Sequence, residues 1–171
     1  MAAVLRGIPS DKDFIASLSQ AVGFLGVNFG LFEFALNAII ATIHQRIAQP
    51  IKGKGQLPYT LKERLRYVRE AANHYSPLVT CQEELRHIAS EAKRLSVIRN
   101  GVLHGSIADY DSPTHMLTFV GMIPSGTGKD MHQETRYALT IQALLAGGID
   151  AEALCTKTNT FCLRLMKQID I

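Results

Sequence analysis

The side chains best suited to chemistry lie in one short segment, Arg99-Asn100-Gly101-Val102-Leu103-His104. Arginine carries a permanent charge, and its planar fork of N–H groups matches the oxygens of a phosphate. Imidazole exchanges a proton near neutral pH, which suits it to general acid or base catalysis. Together, Arg99 and His104 favour chemistry on a phosphodiester.

The spacing of these residues sets a condition on that chemistry. In an unbroken helix Asn100 and His104 are neighbours on one face, whereas Arg99 lies about 140° away from His104. The helix must therefore unwind near Gly105, or a second subunit must face the first, before the two can act together. A structural interpretation is also open, in which His104 satisfies the last carbonyls of the helix, Asn100 bonds locally and Arg99 pairs with a carboxylate.

Other catalytic and cofactor patterns are incomplete. The segment 125–130 (Ser-Gly-Thr-Gly-Lys-Asp) is similar to a phosphate-binding loop, but Ile123 replaces its first glycine and Asp130 its magnesium-binding hydroxyl residue. We predict a polar hairpin loop there. The chain has neither the Cys and His spacing of zinc sites nor a G-x-S-x-G motif, so the sequence predicts no metal and no cofactor.

The composition predicts a single globular domain over residues 1–171. Apolar residues make up 47% of the chain and charged residues 19%, which excludes a disordered or collagen-like protein. The net charge of +3 is too small to mark the whole molecule as a nucleic-acid binder. Because Cys81, Cys155 and Cys162 show no C-x-x-C spacing, we expect core residues in a reducing, cytoplasmic compartment.

One long helix is predicted over residues 11–47, with Ser10 or Asp11 as its cap. Its stretch from 21 to 43 is nearly all apolar, so a transmembrane span is an alternative. Glu33 near the middle of that stretch and the weak basic flanks favour a helix buried in a soluble assembly, with no membrane. Three glycines fall along one stripe of this helix, which predicts close approach by another helix and a two-fold homodimer (Gly23, Gly26 and Gly30).

Two further helices are predicted from their caps. Thr60 with Glu63 forms one capping box, and Thr80 with Glu83 forms another. Apolar residues then recur at helical spacing, and the third helix is expected to end near Gly105.

A β insertion is predicted over about 106–139, followed by a closing helix. Alternating residues give three short strands, Ile107–Tyr110, Met116–Ile123 and His132–Leu139. The closing helix, from Thr140 to Ile169, is weakened at Gly147-Gly148, and Asp150 is expected to cap its restart.

The segment from Arg99 to His104 resembles the Arg-x4-6-His signature of HEPN domains, with a polar residue after the arginine and Gly105 following. The order of elements is also similar: a long first helix containing Phe32-Glu33-Phe34-Ala35-Leu36, a capped pair of helices, the motif at the end of the last of these, and a closing helix. The resemblance implies an up-and-down helical bundle. The β insertion is a departure from the minimal bundle of that family.

The resemblance also implies a function: a dimer with two motifs facing a shared cleft, working as a metal-independent endoribonuclease of toxin or defence type. Such proteins cleave RNA through attack of the 2′-hydroxyl and leave a cyclic phosphate. In that role His104 transfers a proton, Arg99 stabilises charge on the phosphate, and Asn100 orients one of them or the RNA. An inhibitory partner protein encoded elsewhere belongs to this hypothesis, and the alternative is a non-catalytic HEPN-like interaction or ligand-binding module.

Two sets of charged residues are candidates for supporting this site. Glu33 is a single carboxylate in an apolar helix and needs a partner; Arg99, another arginine or ordinary solvation are all open. Several basic residues can contact RNA phosphates or simply form a solvated surface: Lys62, Arg64, Arg66, Arg69, Lys93 and Arg94.

Overall fold

The computed structural model of the chain describes residues 8–46, 57–124 and 132–169. Its elements, in chain order, are α1 (Lys12–Arg46), α2 (Leu61–His74), a 3₁₀ helix (Ser76–Cys81), α3 (Gln82–Leu103), β1 (Ser106–Asp111), β2 (Met116–Pro124), β3 (His132–Leu139) and α4 (Ile141–Ile169). The protein is therefore mainly helical with one small antiparallel sheet, as the sequence predicts. The predicted polar loop at 125–130 lies outside the described residues.

Contacts between Cα atoms divide the chain into two compact units. The first unit comprises Met1–Asn28 and Arg94–Asp150, and the second comprises Phe29–Lys93 and Ala151–Ile171. The sheet and the end of α3 belong to the first unit, whereas α2 and the 3₁₀ helix belong to the second. The single domain over 1–171 stays a prediction.

Helix α1 begins where the sequence predicts. The Asp11 carboxylate accepts a hydrogen bond from the backbone N–H of Asp13 at 3.2 Å. Buried apolar residues then recur at helical spacing, among them Leu25, Phe29 and Phe32. By length and composition α1 is able to cross a membrane, and 44% of its most apolar stretch is buried inside the protein. Its place in a protein without a membrane therefore stays a prediction.

Helix α2 begins with the predicted capping box. The Glu63 backbone N–H donates to the Thr60 hydroxyl at 3.2 Å, and the Thr60 backbone N–H donates to the Glu63 carboxylate at 3.1 Å. The prediction of Thr80 as the next N-cap is wrong, because Thr80 lies inside the 3₁₀ helix that runs directly into α3. Its hydroxyl lies 3.8 Å from the Sγ atom of Cys81. The chain is thus already helical before α3 begins.

The three predicted strands are confirmed, and they form an antiparallel sheet in the order β1-β2-β3. Phe119 in the central strand pairs with Ile107 on one side and Tyr137 on the other. Phe119 and Leu117 are buried, so one face of the sheet belongs to the core of the first unit. The sheet occupies the predicted insertion, from Ser106 to Leu139.

Helix α4 runs unbroken through Gly147 and Gly148, where the sequence predicts a weak point. Gly148 is buried, and a Cβ atom there would overlap the ring of Phe24. The glycine therefore permits close packing of α1 on α4 within the first unit, and this packing compensates for its low helix propensity. Because α4 is continuous, Asp150 lies inside it and caps no restarted helix; its carboxylate forms an ion pair with Arg94 at 2.8 Å.

Candidate active site

The end of α3 positions the Arg99-to-His104 motif. The helix ends at Leu103, and β1 begins at Ser106, so His104 lies in the short bend between them. The backbone N–H of His104 still donates to the Asn100 carbonyl at 3.1 Å, which closes the last turn. The chain thus unwinds at the place where the sequence required it.

Unwinding brings Arg99 and His104 together within one chain. The Nη1 atom of Arg99 lies 3.3 Å from Nε2 of His104, and it also donates to Oδ1 of Asn100 at 2.9 Å. Of the two routes to convergence that the sequence left open, the structure shows the first. Arg99 is half-buried, whereas Asn100 and His104 are exposed, so the cluster is open to a large substrate.

The chemistry of the donors decides which ring nitrogen of His104 accepts a hydrogen bond in this arrangement. A guanidinium group donates hydrogen bonds and accepts none, so Nε2 of His104 must be the acceptor. In that hydrogen bond the ring proton resides on Nδ1. The same logic orients Asn100, whose Oδ1 faces Arg99. The cluster therefore presents a proton-accepting ring nitrogen beside a fixed positive charge.

The sheet packs against this turn of α3 through two glycines. A Cβ atom on Gly101 would lie 2.6 Å from Cδ2 of Tyr137, and one on Gly105 would overlap the Gly101 carbonyl oxygen and lie 3.2 Å from that of Val120. Sequence reasoning missed Tyr137. The signal that points to a close neighbour is a pair of glycines four residues apart, Gly101 in the last turn of α3 and Gly105 just beyond it, since small residues admit close approach.

Glu33 lies in the second unit and forms an ion pair with Arg64 of α2 at 3.1 Å. The side chains are 22% and 17% exposed, respectively. Among the partners that the sequence left open, the structure thus shows another arginine. The contact joins α1 to α2, and it gives Glu33 a structural role, since a partly buried charge needs its partner to remain stable.

Some of the other basic candidates are paired with acidic residues, and most of them are exposed. Arg64 and Arg94 form ion pairs with acidic residues, as described above, and Arg66 lies 3.9 Å from Glu70. Lys62, Arg66 and Arg69 are exposed at i, i+4 and i+7 on α2, so they share one face of that helix. This face is the most concentrated basic stripe among the predicted phosphate contacts.

The cysteines are core residues, as predicted. Cys81, Cys155 and Cys162 are free and buried. Burial raises the pKa of the Cys155 and Cys162 thiols, although a hydrogen bond from Asn159 partly offsets this at Cys155. These two thiols therefore stay protonated at neutral pH and are poor nucleophiles.

The first unit also has a cleft of about 490 Å³, which is lined by residues other than those of the motif. Its wall includes the carboxylates of Asp11 and Asp13 together with Phe14, His115 and Leu145. Two carboxylates oppose the binding of a phosphate, so this cleft does not suit the RNA backbone. Within the described ranges, no group of three or more His, Cys, Asp or Glu residues is arranged to hold a metal ion.

No protein-family model, curated protein or solved structure matches this chain. The fold itself is mainly helical with a small three-stranded sheet. The contacts of Arg99, Asn100 and His104 are the features of the chain that bear on its chemistry.

Proposed function

We propose that this protein is a metal-independent endoribonuclease of HEPN type. The observation that carries the proposal is the 3.3 Å contact between Nη1 of Arg99 and Nε2 of His104, at an exposed helix end. A neutral imidazole is the form of histidine that accepts a proton, and the adjacent guanidinium suits an anionic phosphate. Both groups come from the segment that resembles the HEPN signature.

The first chemical step is removal of a proton from the RNA. The phosphate draws the Arg99 guanidinium toward its oxygens, which releases Nε2 of His104 from its hydrogen bond. Nε2 then accepts the proton of the ribose 2′-hydroxyl, and the 2′-oxygen attacks the adjacent phosphorus. Arg99 stabilises the negative charge that gathers on the phosphate oxygens, and Asn100 holds Arg99 through its Oδ1 atom.

The second step breaks the bond between phosphorus and the 5′-oxygen of the next nucleotide. That oxygen leaves with a proton, and the products are a 2′,3′-cyclic phosphate and a 5′-hydroxyl. The overall reaction is a transesterification, so it consumes no water, oxidant or metal-bound hydroxide. A protonated imidazole from a second motif is suited to supply the leaving-group proton, which is the chemical reason to expect a dimer with a shared cleft.

The dimer uses the exposed apolar face of α1 in this proposal. In the second unit, Leu31 is 51% exposed and Phe34 is 75% exposed, and a Cβ atom on Gly30 would meet nothing within 4 Å. An exposed apolar patch of this kind marks an interaction site. Gly26 has a different role, because a Cβ atom there would lie 3.6 Å from the side chain of Leu103 in the same chain. Leu31 and Phe34 are therefore better probes of the dimer than Gly26.

The basic stripe of α2 is our candidate for RNA backbone contacts. Lys62, Arg66 and Arg69 present three cations on one helix face, and such contacts add affinity without sequence specificity. A toxin or defence role, an inhibitory partner protein and a cytoplasmic location complete the proposal.

The decisive experiment incubates the purified protein with mixed RNA in the presence of EDTA. We expect fragments that end in a 2′,3′-cyclic phosphate, detected by mass spectrometry or by their resistance to ligation at the 3′ end until the phosphate is removed. The matched control is His104→Ala, purified in the same way, which excludes a contaminating ribonuclease. Intact RNA with the wild-type protein would reject the enzyme and leave the non-catalytic interaction or ligand-binding module.

A further inference from the structure

The three-stranded sheet contacts the end of α3 at Gly101, which is inside the motif, and at Gly105, which follows it. Gly101 is buried, and its backbone lies so close to the Tyr137 ring that an added Cβ would be 2.6 Å from Cδ2 and 2.9 Å from Cγ. Strand β2 also passes near Gly105, where a Cβ would lie 3.2 Å from the carbonyl oxygen of Val120. The last turn of α3 is thus held from behind by β2 and β3.

A helix end needs such support to keep one geometry. The last turns of helices fray, because their final carbonyl groups lack partners within the helix. Here the working residue, His104, lies beyond the last helical residue, so the helix alone does not hold it. The contact between Arg99 and His104 is therefore sensitive to any movement of this turn.

We propose that Tyr137 is a positioning residue for the Arg99–His104 pair. Its ring packs on Gly101 and holds the last turn of α3 at the distance where Nη1 of Arg99 meets Nε2 of His104. The β insertion thereby has a function, which is to set the geometry of the motif. The inference about geometry needs only the structure; its consequence for RNA cleavage rests on the proposed function.

The direct test reads the tautomer of His104 by nitrogen NMR of the imidazole ring. In the wild-type protein we expect the proton on Nδ1, because Arg99 donates to Nε2. Tyr137→Ala removes the ring and should move the population of His104 toward the tautomer with the proton on Nε2, which free histidine favours. Tyr137→Phe keeps the ring and should retain the wild-type signals. The signals are assigned by their loss in His104→Gln.

The matched control is Arg136→Ala, on the same strand. Arg136 neighbours Tyr137 in sequence, points to the opposite face of the sheet and is exposed. This variant should leave the His104 signals unchanged. A Tyr137→Ala protein that is folded and has the wild-type His104 tautomer would overturn the proposal.

A steric pair of variants provides a second test, which also covers the case of a Tyr137→Ala protein that does not fold. Gly101→Ala places a methyl group against the Tyr137 ring and should disturb the His104 signals. In Gly101→Ala combined with Tyr137→Leu, the smaller side chain makes room for the methyl group, so the signals should return toward those of Tyr137→Leu alone. Equal disturbance in the single and double variants would show that the ring does not transmit the effect.

The activity readout follows from the same variants. We expect Tyr137→Ala to lower the cleavage rate by up to about a hundredfold, the loss that a misplacement of about 1 Å can cause. Tyr137→Phe should cleave at close to the wild-type rate. If Tyr137→Ala changes the His104 tautomer and the wild-type protein does not cleave RNA, the positioning inference stands and the ribonuclease is rejected. If the wild-type protein cleaves RNA and Tyr137→Ala leaves the tautomer unchanged, the ribonuclease stands and the positioning inference is rejected.

Discussion

Two arginine-centred clusters of this protein use the same side chain in different ways. Arg64, in the second unit, is 17% exposed and pairs with the carboxylate of Glu33. Arg99, in the first unit, lies at the end of a helix and contacts an imidazole and an amide, both exposed. A half-buried ion pair serves the fold, because either charge alone is costly there. A positive charge whose exposed partners are not carboxylates instead retains its attraction for an anion.

The largest expected effect separates the two clusters by activity. His104→Ala and Arg99→Ala should each lower RNA cleavage by about a hundredfold or more, the usual scale for losing a proton-transfer group or a charge-stabilising group. Their free energies of unfolding should change by about 1 kcal/mol or less, because both contacts lie at an exposed helix end. Cleavage kinetics in EDTA and denaturant melts measure both quantities.

Arg99→Lys sharpens this prediction, since it retains the charge and loses the planar fork. It should recover part of the activity that Arg99→Ala loses. Wild-type cleavage by His104→Ala would remove the proposed mechanism. A large loss of stability in both alanine variants would instead favour the structural interpretation of the motif.

The second prediction concerns the Glu33–Arg64 pair. Glu33→Ala should lower the free energy of unfolding by about 1–3 kcal/mol, because it leaves the Arg64 guanidinium partly buried without this carboxylate. The matched control is Glu70→Ala, which removes a more exposed pair with Arg66 at 3.9 Å and should cost about 0.5 kcal/mol or less. Cleavage per folded molecule should stay at the wild-type level in both.

A specific loss of cleavage in folded Glu33→Ala would contradict that division of roles. It would assign Glu33 to the support of the active site, as the sequence left open. Cleavage measured at equal folded fraction, set by circular dichroism, distinguishes the two results.

The third prediction tests the exposed apolar face of α1 that is proposed as the dimer interface. Phe34→Lys should raise the dimer dissociation constant about tenfold or more, because it places a charge on the proposed apolar interface. Gln45→Lys adds the same charge at an exposed polar position of α1 and should leave the dimer intact. Light scattering over a concentration series measures both. A wild-type monomer at high micromolar concentration would reject the dimer and, with it, the shared cleft.

The smallest expected effect concerns the buried thiols. Burial raises the pKa of Cys155 and Cys162, so alkylation of the native protein should be slow at neutral pH. It should accelerate only at a pH higher than the one at which an exposed thiol ionises. The stability consequence has a definite sign. The unfolded chain releases the two thiol protons at lower pH than the folded chain does. The contribution of these thiols to the free energy of unfolding is therefore complete below the ordinary thiol pKa, and it is lost as pH rises through the raised pKa of the folded state. Mass spectrometry after timed alkylation measures the first effect; rapid neutral labelling at either residue would contradict it.

The sequence by itself determined the elements of this protein. Capping by Thr60 and Glu63 marked the start of α2, alternation marked the three strands, and the apolar repeat marked α1. The candidate motif was also visible, because Arg99 and His104 are close along the chain. These features depend on neighbours within a few residues, so local sequence patterns are sufficient to predict them.

Only the tertiary structure decided which distant groups meet. Gly148 keeps α4 continuous because the Phe24 ring lies against it, Glu33 is paired with Arg64, and Tyr137 covers Gly101. Partners separated by tens of residues are selected by the packing of whole elements. The periodicity of apolar residues in the sequence does not indicate which of several arginines or aromatic rings makes a given contact. The end of α3 at Leu103 combines both levels: a glycine signals it in the sequence, and the strands packed against that glycine determine where His104 lies.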